Sequence, residues 1–177
     1  MSCPITEQSP IEHDAALPNS ADAVIIGGGI IGVMTAFELA KAGLNPVLLE
    51  KGRIAGEQSS RNWGWVRVQG RDPAEIPIML EAQAMWQELN AQIEGLGVTQ
   101  AGSFYLASSE EALAEYQGWH DHAAQFDMSS HLVSAHALAD HIPSAKARWA
   151  GALHTPTDMR AEPWSAVPAL ARAAVAM

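Results

Sequence analysis

Three closely spaced glycines, Gly27, Gly29 and Gly32, form the pattern GxGxxG directly after a run of apolar residues. In a dinucleotide-binding turn the first glycine permits a sharp bend and the second lets the backbone approach a pyrophosphate. The third glycine lets the following helix pack closely on the strand. The pattern therefore predicts a phosphate-binding turn, with the N–H groups of Ile30 and Ile31 at the start of the helix facing the anion.

The residues around the glycines have the order of one βαβ unit. The apolar run 23–26 predicts a strand buried on both faces, as in a parallel sheet. Residues 30–42 predict a mostly buried crossover helix, and Gly43 is the expected left-handed stop. Residues 46–50 then predict the second strand. A lone GxGxxG is weak evidence, but this complete order is specific for a nucleotide-binding unit.

The predicted second strand ends in an acidic residue, Glu50. It follows Gly27 by 23 positions, close to the offset of about 20 residues at which a carboxylate meets the ribose hydroxyls of a dinucleotide. A carboxylate at this point would repel a 2′-phosphate. The sequence therefore disfavours NADP as the cofactor.

Charge limits the partners of the chain. The formal net charge of −10 argues against nucleic acid or an anionic membrane as the main partner, because either would require a basic face. Five of the ten cations nevertheless fall within residues 51–71, where Glu57 is the single acid. They are Lys51, Arg53, Arg61, Arg67 and Arg71. This concentration suggests an anionic ligand nearby, although an ordinary solvated loop is the better explanation for any one of them.

Cysteine usage and the leader indicate the compartment. Cys3 is the single cysteine, which excludes disulfides and a thiolate metal site and favours a reducing, cytoplasmic location. Residues 1–21 form a polar leader that we expect to be disordered, and no Lys or Arg precedes Lys41, so signal peptides are not expected. The longest uncharged apolar run, 23–37, is shorter than the roughly 20 residues that span a bilayer, so no transmembrane segment is predicted.

The histidines do not predict a metal site. His131, His136 and His141 recur every fifth residue, a step that rotates by about 140° on a helix and separates their faces. We expect these three side chains to be exposed. No nucleophile elbow, zinc HExxH motif or Walker lysine occurs, so hydrolase and nucleoside-triphosphatase functions have no support.

A polar segment after the βαβ unit carries further candidate binding residues. Its hydroxyl, guanidinium and amide groups could donate to a phosphate or to a flat polar ring. The candidates are Ser59, Ser60, Arg61, Asn62 and Gly64. The structural alternative is a turn followed by a short strand over 65–68, and the two are compatible because binding residues often lie on loops.

Together these motifs resemble the amino-terminal half of the D-amino-acid oxidase and glycine oxidase family of FAD-dependent oxidoreductases. The resemblance is carried by Gly27-Gly28-Gly29-Ile30-Ile31-Gly32, Ala36, Leu39-Ala40, Gly43, Glu50-Lys51, Ser59-Ser60-Arg61-Asn62 and Gly64. It implies that the glycine turn holds the FAD pyrophosphate and that the carboxylate of Glu50 holds the adenosine ribose. It also implies that the segment 59–64 lies along the pyrophosphate and the isoalloxazine.

Trp63 and Trp65 depart from the smaller residues of many family members. They either wall the flavin or pack in the core, and we expect core packing for at least one. The implied cofactor-binding residues are Gly27, Gly29, Ile30, Ile31, Gly32, Glu50, Lys51, Ser59, Ser60, Arg61, Asn62 and Gly64.

The remainder of the chain is rich in predicted helices. A capping pattern at 72–75 precedes a helix over about 77–94. The side chains that this helix is expected to bury are Met79, Ala82, Trp86, Leu89 and Ile93. Ser108 and Glu111 are expected to open a second helix that ends near Phe126. The other expected elements are strands at 102–107, 131–134 and 150–154, a brief helix up to 143, and a helix over 164–175.

The predicted fold class is α/β: a Rossmann-like FAD- or NAD(P)-binding βαβ domain with the beginning of an inserted α+β substrate domain, in a chain that we expect to be incomplete. The predicted organisation is a leader at 1–21, the FAD-binding unit with its flavin loop at 22–71, a partial substrate domain at 72–154 and a return segment at 155–177. Residues 1–177 by themselves are expected to hold FAD weakly and to expose apolar strand surface.

The resemblance implies oxidation of a small-molecule amine or amino acid by hydride transfer from the α-carbon to the flavin. Two alternatives stay open: an NAD-linked dehydrogenase, and a nucleotide-binding remnant without turnover. No catalytic residue is assigned, and no metal is expected. The sequence leaves the substrate, the electron acceptor and the oligomeric state open.

Overall fold

In the computed structural model the chain divides into two compact units. Unit 1 contains residues 1–64, 88–98 and 161–177, and unit 2 contains residues 65–87 and 99–160. The structure describes residues 5–6, 8–11, 16–126, 128–143 and 148–177, so Cys3 lies outside the described residues. The predicted boundary near residue 71 and the predicted roles of the two parts stay predictions. The sequence did not indicate that residues 88–98 belong to unit 1.

Five α-helices and eight β-strands lie in the described residues. The helices are α1 (Ile30–Lys41), α2 (Ile76–Gln92), α3 (Glu110–Ala123), α4 (Ala135–His141) and α5 (Pro163–Val175). The strands are β1 (Ala23–Ile26), β2 (Pro46–Leu49), β3 (Trp65–Val66), β4 (Thr99–Gln100), β5 (Ser103–Ala107), β6 (His131–Ser134), β7 (Gly151–Thr155) and β8 (Met159–Arg160). The chain is therefore of the α/β class, as predicted.

Unit 1 is built on the predicted βαβ unit. Strands β1 and β2 pair in parallel, with Ala23 opposite Pro46 and Ile26 opposite Leu49. Helix α1 connects them and ends one residue earlier than expected. Gly43 has a φ of +80°, which confirms it as the left-handed stop. The local pattern of the sequence was sufficient for this unit because every signal lies within one short stretch.

One face of β1 is exposed, as expected for residues 1–177 by themselves, although the apolar run predicted burial on both faces in a complete sheet. Val24 is 61% exposed and Ile26 is 88% exposed, whereas Ala23 and Ile25, which alternate with them, are partly buried. Helix α1 packs along the strand pair but covers one face. Ile31, expected on the apolar surface of α1, is 79% exposed, whereas Val33 and Phe37 are buried. The expectation of exposed apolar strand surface agrees with these values.

Helix α5 completes the helical layer of unit 1 by packing against α1. Its buried side chains include Val167 and Leu170. Part of the leader also packs here, because Ile5 is buried and the carbonyl oxygen of Ser9 accepts a hydrogen bond from Nε of Arg53. Ile5 and Ser9 thus contact the unit, and the disorder expected of the leader stays a prediction.

Unit 2 contains two antiparallel sheets of three strands. Their strand orders are β3-β8-β4 and β5-β7-β6. The expected strands at 102–107, 131–134 and 150–154 agree with β5, β6 and β7 to within one residue. Strand β3 is shorter than the expected 65–68, and β4 and β8 were missed because two residues cannot display a period of two.

Helix starts in unit 2 follow capping rules, with one correction. The carboxylate of Asp72 accepts from the N–H of Ala74 at 2.8 Å and begins a short 3₁₀ turn that leads into α2. Helix α3 is capped by Ser109 rather than by the expected Ser108, since the Ser109 hydroxyl accepts from the N–H of Ala112. Two adjacent serines offered the same local signal, and the backbone path selected the second.

The interior of unit 2 contains a polar centre that the sequence did not reveal. Asp158 is 1% exposed, and its carboxylate accepts from the N–H of Val68 at 2.7 Å and from Nε2 of Gln83 at 3.0 Å. The hydroxyl of Ser103 donates to the same carboxylate, and the N–H of Gln69 approaches it at 3.4 Å. A buried carboxylate is tolerated only when donors surround it, so this centre ties together four segments of the unit.

Candidate dinucleotide-binding site

The glycine turn of unit 1 has the geometry that close phosphate approach requires. Gly27 has a φ of +107°, which only glycine adopts without strain. A Cβ on Gly32 would lie 1.9 Å from the carbonyl oxygen of Gly27, so the start of α1 can pack on the turn only without a side chain there. A Cβ on Gly29 would lie 3.1 Å from Oγ of Ser59.

The amino-terminal end of α1 carries no acidic group of its own. Gly29 is the N-cap and offers no side-chain acceptor, and the first turn contains no Asp or Glu. The N–H of Ile30 donates to Oγ of Ser59 at 2.9 Å. The hydroxyl of the polar loop therefore meets the helix start across 29 positions of sequence. Free N–H groups and the positive end of the helix dipole favour an anion at this point.

Glu50 lies at the end of β2 with its carboxylate beside the glycine turn. One oxygen accepts from the N–H of Gly28 and the other from the N–H of Gly52, each at 2.7 Å. Gly28 was not among the predicted site residues. A Cβ there would lie 2.7 Å from Cδ1 of Ile54 and 3.0 Å from Cγ of Glu50. In the sequence, the run of three consecutive glycines was the one indication that no side chain fits at position 28.

The other predicted loop residues bond within the loop. The hydroxyl of Ser60, which is buried, accepts from Nη1 of Arg61 at 2.7 Å. Oδ1 of Asn62 accepts from the N–H of Gly64 at 2.7 Å. Gly64 has a φ of +68°, and a Cβ there would lie 1.9 Å from the carbonyl oxygen of Ala161. The structure thus brings Ser59 to α1, whereas these neighbours shape the turn that carries it.

Lys51 and the two tryptophans lie at the surface. Nζ of Lys51 is 2.6 Å from Oε1 of Glu57. This hydrogen bond raises the pKa of Lys51 and lowers the pKa of Glu57. Trp63 is 78% exposed and Trp65 is 51% exposed, so the expectation that at least one of them packs in the core was wrong.

A cluster of rings in unit 2 includes histidines from different elements. The ring of His154 stacks on Phe104 with centroids 3.9 Å apart, and the rings of His131 and His141 lie 5.1 and 5.7 Å away. Burial, followed by the two neighbouring histidines, lowers the pKa of His154. Among the described residues no group of three His, Cys, Asp or Glu side chains is placed to hold a metal ion.

The site residues fit a dinucleotide. The turn excludes side chains where a pyrophosphate would approach, the helix start offers N–H donors, and Ser59 adds a hydroxyl. The carboxylate of Glu50 lies at the carboxyl end of the neighbouring parallel strand, where such folds bind their ligands. None of the helices in the described ranges is both long and apolar enough to cross a bilayer.

Comparison with known proteins identifies the family. Residues 22–177 match the family described as FAD dependent oxidoreductase. The chain belongs to this family. Its cofactor is accordingly FAD, and the family resemblance noted in the sequence is confirmed.

Individual relatives support the assignment. The mitochondrial sarcosine dehydrogenase of Mus musculus is 28% identical over 164 residues, which cover 90% of this chain and 18% of that protein. The glycine oxidase of Bacillus subtilis (strain 168) is 30% identical over 162 residues, which cover 86% of this chain and 42% of that protein. The chain therefore spans less than half the length of these relatives.

A solved structure has the same fold over nearly the whole chain. The L-amino acid deaminase from Proteus myxofaciens, determined in complex with anthranilate, is 29% identical and superimposes with a TM-score of 0.88. The match covers 96% of this chain and 40% of that protein. Family members with these names act on amino acids or amines.

Proposed function

We propose that this chain contributes the cofactor-holding part of an FAD-dependent oxidoreductase that oxidises a small amine or amino acid, with a hydride leaving the α-carbon. The observation that carries the proposal is the junction of the glycine turn with Ser59 and Glu50. Sarcosine dehydrogenase and glycine oxidase, by their names, act on such small molecules. We further propose a cytoplasmic location, which the single cysteine of the chain supports.

The residues at this junction suggest how the cofactor would be held. The backbone from Gly27 to Gly32 and the hydroxyl of Ser59 would bind the pyrophosphate. FAD, when bound, supplies the acceptor for the hydride, so the protein has to provide orientation and electrostatics. The cations at Lys51 and Arg61, on the polar loop, would add positive potential around the phosphates.

The carboxylate of Glu50 has enough free acceptor positions to bind the hydroxyls of a ribose. An ionised carboxylate accepts about four hydrogen bonds. The N–H groups of Gly28 and Gly52 occupy two of these positions. Two lone pairs are therefore left for the two hydroxyls of a ribose. The same backbone bonds hold the carboxylate in place before the cofactor arrives, which lowers the entropy cost of binding.

Flavin retention in the full-length protein tests the proposal. Glu50→Gln keeps the shape of the side chain and removes its charge, and we expect FAD to bind more weakly by about 1.5 to 3 kcal/mol, the contribution of hydrogen bonds to a charged group. Glu57→Gln is the matched control, because Glu57 is exposed and pairs with Lys51. Dissociation constants would be measured by flavin fluorescence after removal and return of FAD.

Each alternative gives a different result in this experiment. Tight binding of NAD by a protein that retains no yellow chromophore would replace the proposal with an NAD-linked dehydrogenase. Stoichiometric FAD without reduction by any amine or amino acid in a broad panel would identify a nucleotide-binding protein without turnover. Equal flavin affinity in the Glu50→Gln, Glu57→Gln and parent proteins would refute the role of Glu50.

A further inference from the structure

The leader contains a hydrogen-bonded turn. The N–H of Ser9 donates to the carbonyl oxygen of Thr6 at 3.0 Å, and the N–H of Thr6 donates to Oγ of Ser9 at 3.0 Å. The N–H of Gln8 donates to Oγ1 of Thr6 at 3.3 Å. Hydroxyl groups that bond to nearby backbone atoms stabilise such turns locally. The turn is therefore held together by its own bonds, and other contacts attach it to unit 1.

Ile5 and Ser9 make the attachment to unit 1. The side chain of Ile5, directly before the turn, is 9% exposed. The carbonyl oxygen of Ser9 accepts a hydrogen bond from Nε of Arg53. An attachment through a buried isoleucine and a hydrogen bond can open locally without unfolding the rest of the unit. We name the described residues of this segment, 5–6 and 8–11, the strap.

Arg53 belongs to the loop that follows Glu50, and this loop is fixed to the glycine turn. The N–H of Ala55 donates to the carbonyl oxygen of Gly28 at 2.8 Å, and the carboxylate of Glu50 accepts from the N–H of Gly28. Ala55 is 1% exposed and has a φ of +57°, a conformation that persists in a residue with a side chain only where the surroundings impose it. The strap is thus attached to a firmly held part of the candidate site.

The strap and Glu50 line the same cavity of unit 1. Its volume is about 700 Å³, within the range of about 300 to 1,000 Å³ that is typical of small-ligand sites. Ile5, Ser9, Pro10 and Ile11 of the strap contribute to its walls, together with residues of α1, β2 and α5. The space beside the carboxylate that we propose for the ribose is therefore continuous with the space that the strap lines.

We propose that the strap gates this cavity, so that a dinucleotide enters and leaves unit 1 only while the strap is detached. The inference rests on the proposed function, which puts the cofactor beside Glu50. A segment that closes over a binding site limits both entry and release. Ile5 and Ser9 are held by protein groups, so detaching the strap costs the same free energy with and without the cofactor. Weaker attachment should therefore speed up both steps by the same factor.

The rates of FAD association and release test the gate. Both would be measured in the full-length protein by stopped-flow flavin fluorescence, with release started by dilution. In Ile5→Ala both rates should rise about 10-fold, because the truncated side chain holds the strap less well, and the dissociation constant should change less than about 3-fold. In Ile5→Asp both rates should rise further, because a carboxylate is costly to bury.

Leu17→Ala is the matched control, because Leu17 is a leader residue outside the strap and is 73% exposed. Its two rates should equal those of the parent. The melting temperature of each cofactor-free variant should also equal that of the parent, which distinguishes a gate from a general loss of structure.

Two results would overturn the gate: release from Ile5→Asp at the parent rate, or faster release without faster association. A parent protein that binds NAD in place of FAD would refute the proposed function, and the same two rates measured with NAD would then decide whether the strap is a gate. A parent protein that binds neither dinucleotide would overturn both.

Discussion

Replacing Asp158 by alanine would remove the acceptor on which the donors inside unit 2 converge. The N–H of Val68 and Nε2 of Gln83 would then lose partners at 2.7 and 3.0 Å. An unpaired buried donor costs about 1 to 3 kcal/mol, so the two together cost about 2 to 6 kcal/mol. Ser103 adds less, because its hydroxyl can turn to Oε1 of Gln69 at 2.7 Å. Asp158→Asn keeps one acceptor oxygen and should lose about half as much.

Urea denaturation followed by circular dichroism would measure these losses, with hydrogen exchange of the Val68 amide as a local probe. Asp72→Ala is the matched control from the same unit, because the Asp72 carboxylate accepts a single hydrogen bond at an exposed helix start. Its loss should be about 0.5 to 2 kcal/mol. If Asp158→Ala loses no more stability than Asp72→Ala, the carboxylate does not organise the interior of unit 2.

Two further predictions concern the glycine turn and the ring cluster. Gly32→Ala would place a Cβ 1.9 Å from the carbonyl oxygen of Gly27, so helix α1 and the turn would have to separate. We expect FAD affinity, measured by fluorescence titration, to fall at least about 10-fold. Gly118→Ala is the control and should leave FAD affinity unchanged, because no atom lies within 4 Å of its added Cβ. The pKa of His154 is lowered in the folded state, so the unfolded chain binds more protons and stability should fall as pH decreases below 6.5. His154→Gln should flatten that dependence in urea titrations between about pH 5 and 8, and an unchanged slope would contradict the assignment.

Local signals made the βαβ unit predictable. The glycine turn, the left-handed Gly43 and the apolar run of each strand act over a few residues, so their physical meaning does not depend on the rest of the chain. The position of Glu50 follows as well, because the crossover in a parallel pair puts both carboxyl ends at one edge. The ends of α1 and β2 deviate by one residue from the prediction, since the ends of an element depend on its neighbours.

The positions of helices and strands were more predictable than which of their side chains are buried and what packs against them. The apolar side chains of β1 indicated burial on both sides, yet Val24 and Ile26 are exposed because one face of the strand pair packs on a helix. Trp63 and Trp65 indicated core packing and lie at the surface. A hydrophobic residue in the sequence shows only that its side chain can be buried, and the tertiary structure decides whether another segment covers it.

The sequence by itself determined the βαβ unit, its glycine turn and the acid at the end of β2, because these depend on backbone freedom and short-range periodicity. The tertiary structure alone decided that Ser59 meets the N–H of Ile30, that donors from three other segments surround Asp158, and that the rings of Trp65 and Tyr105 lie over the guanidinium of Arg67. These contacts join residues far apart along the chain. Their geometry is set by how the segments pack, and no local pattern of residues encodes it.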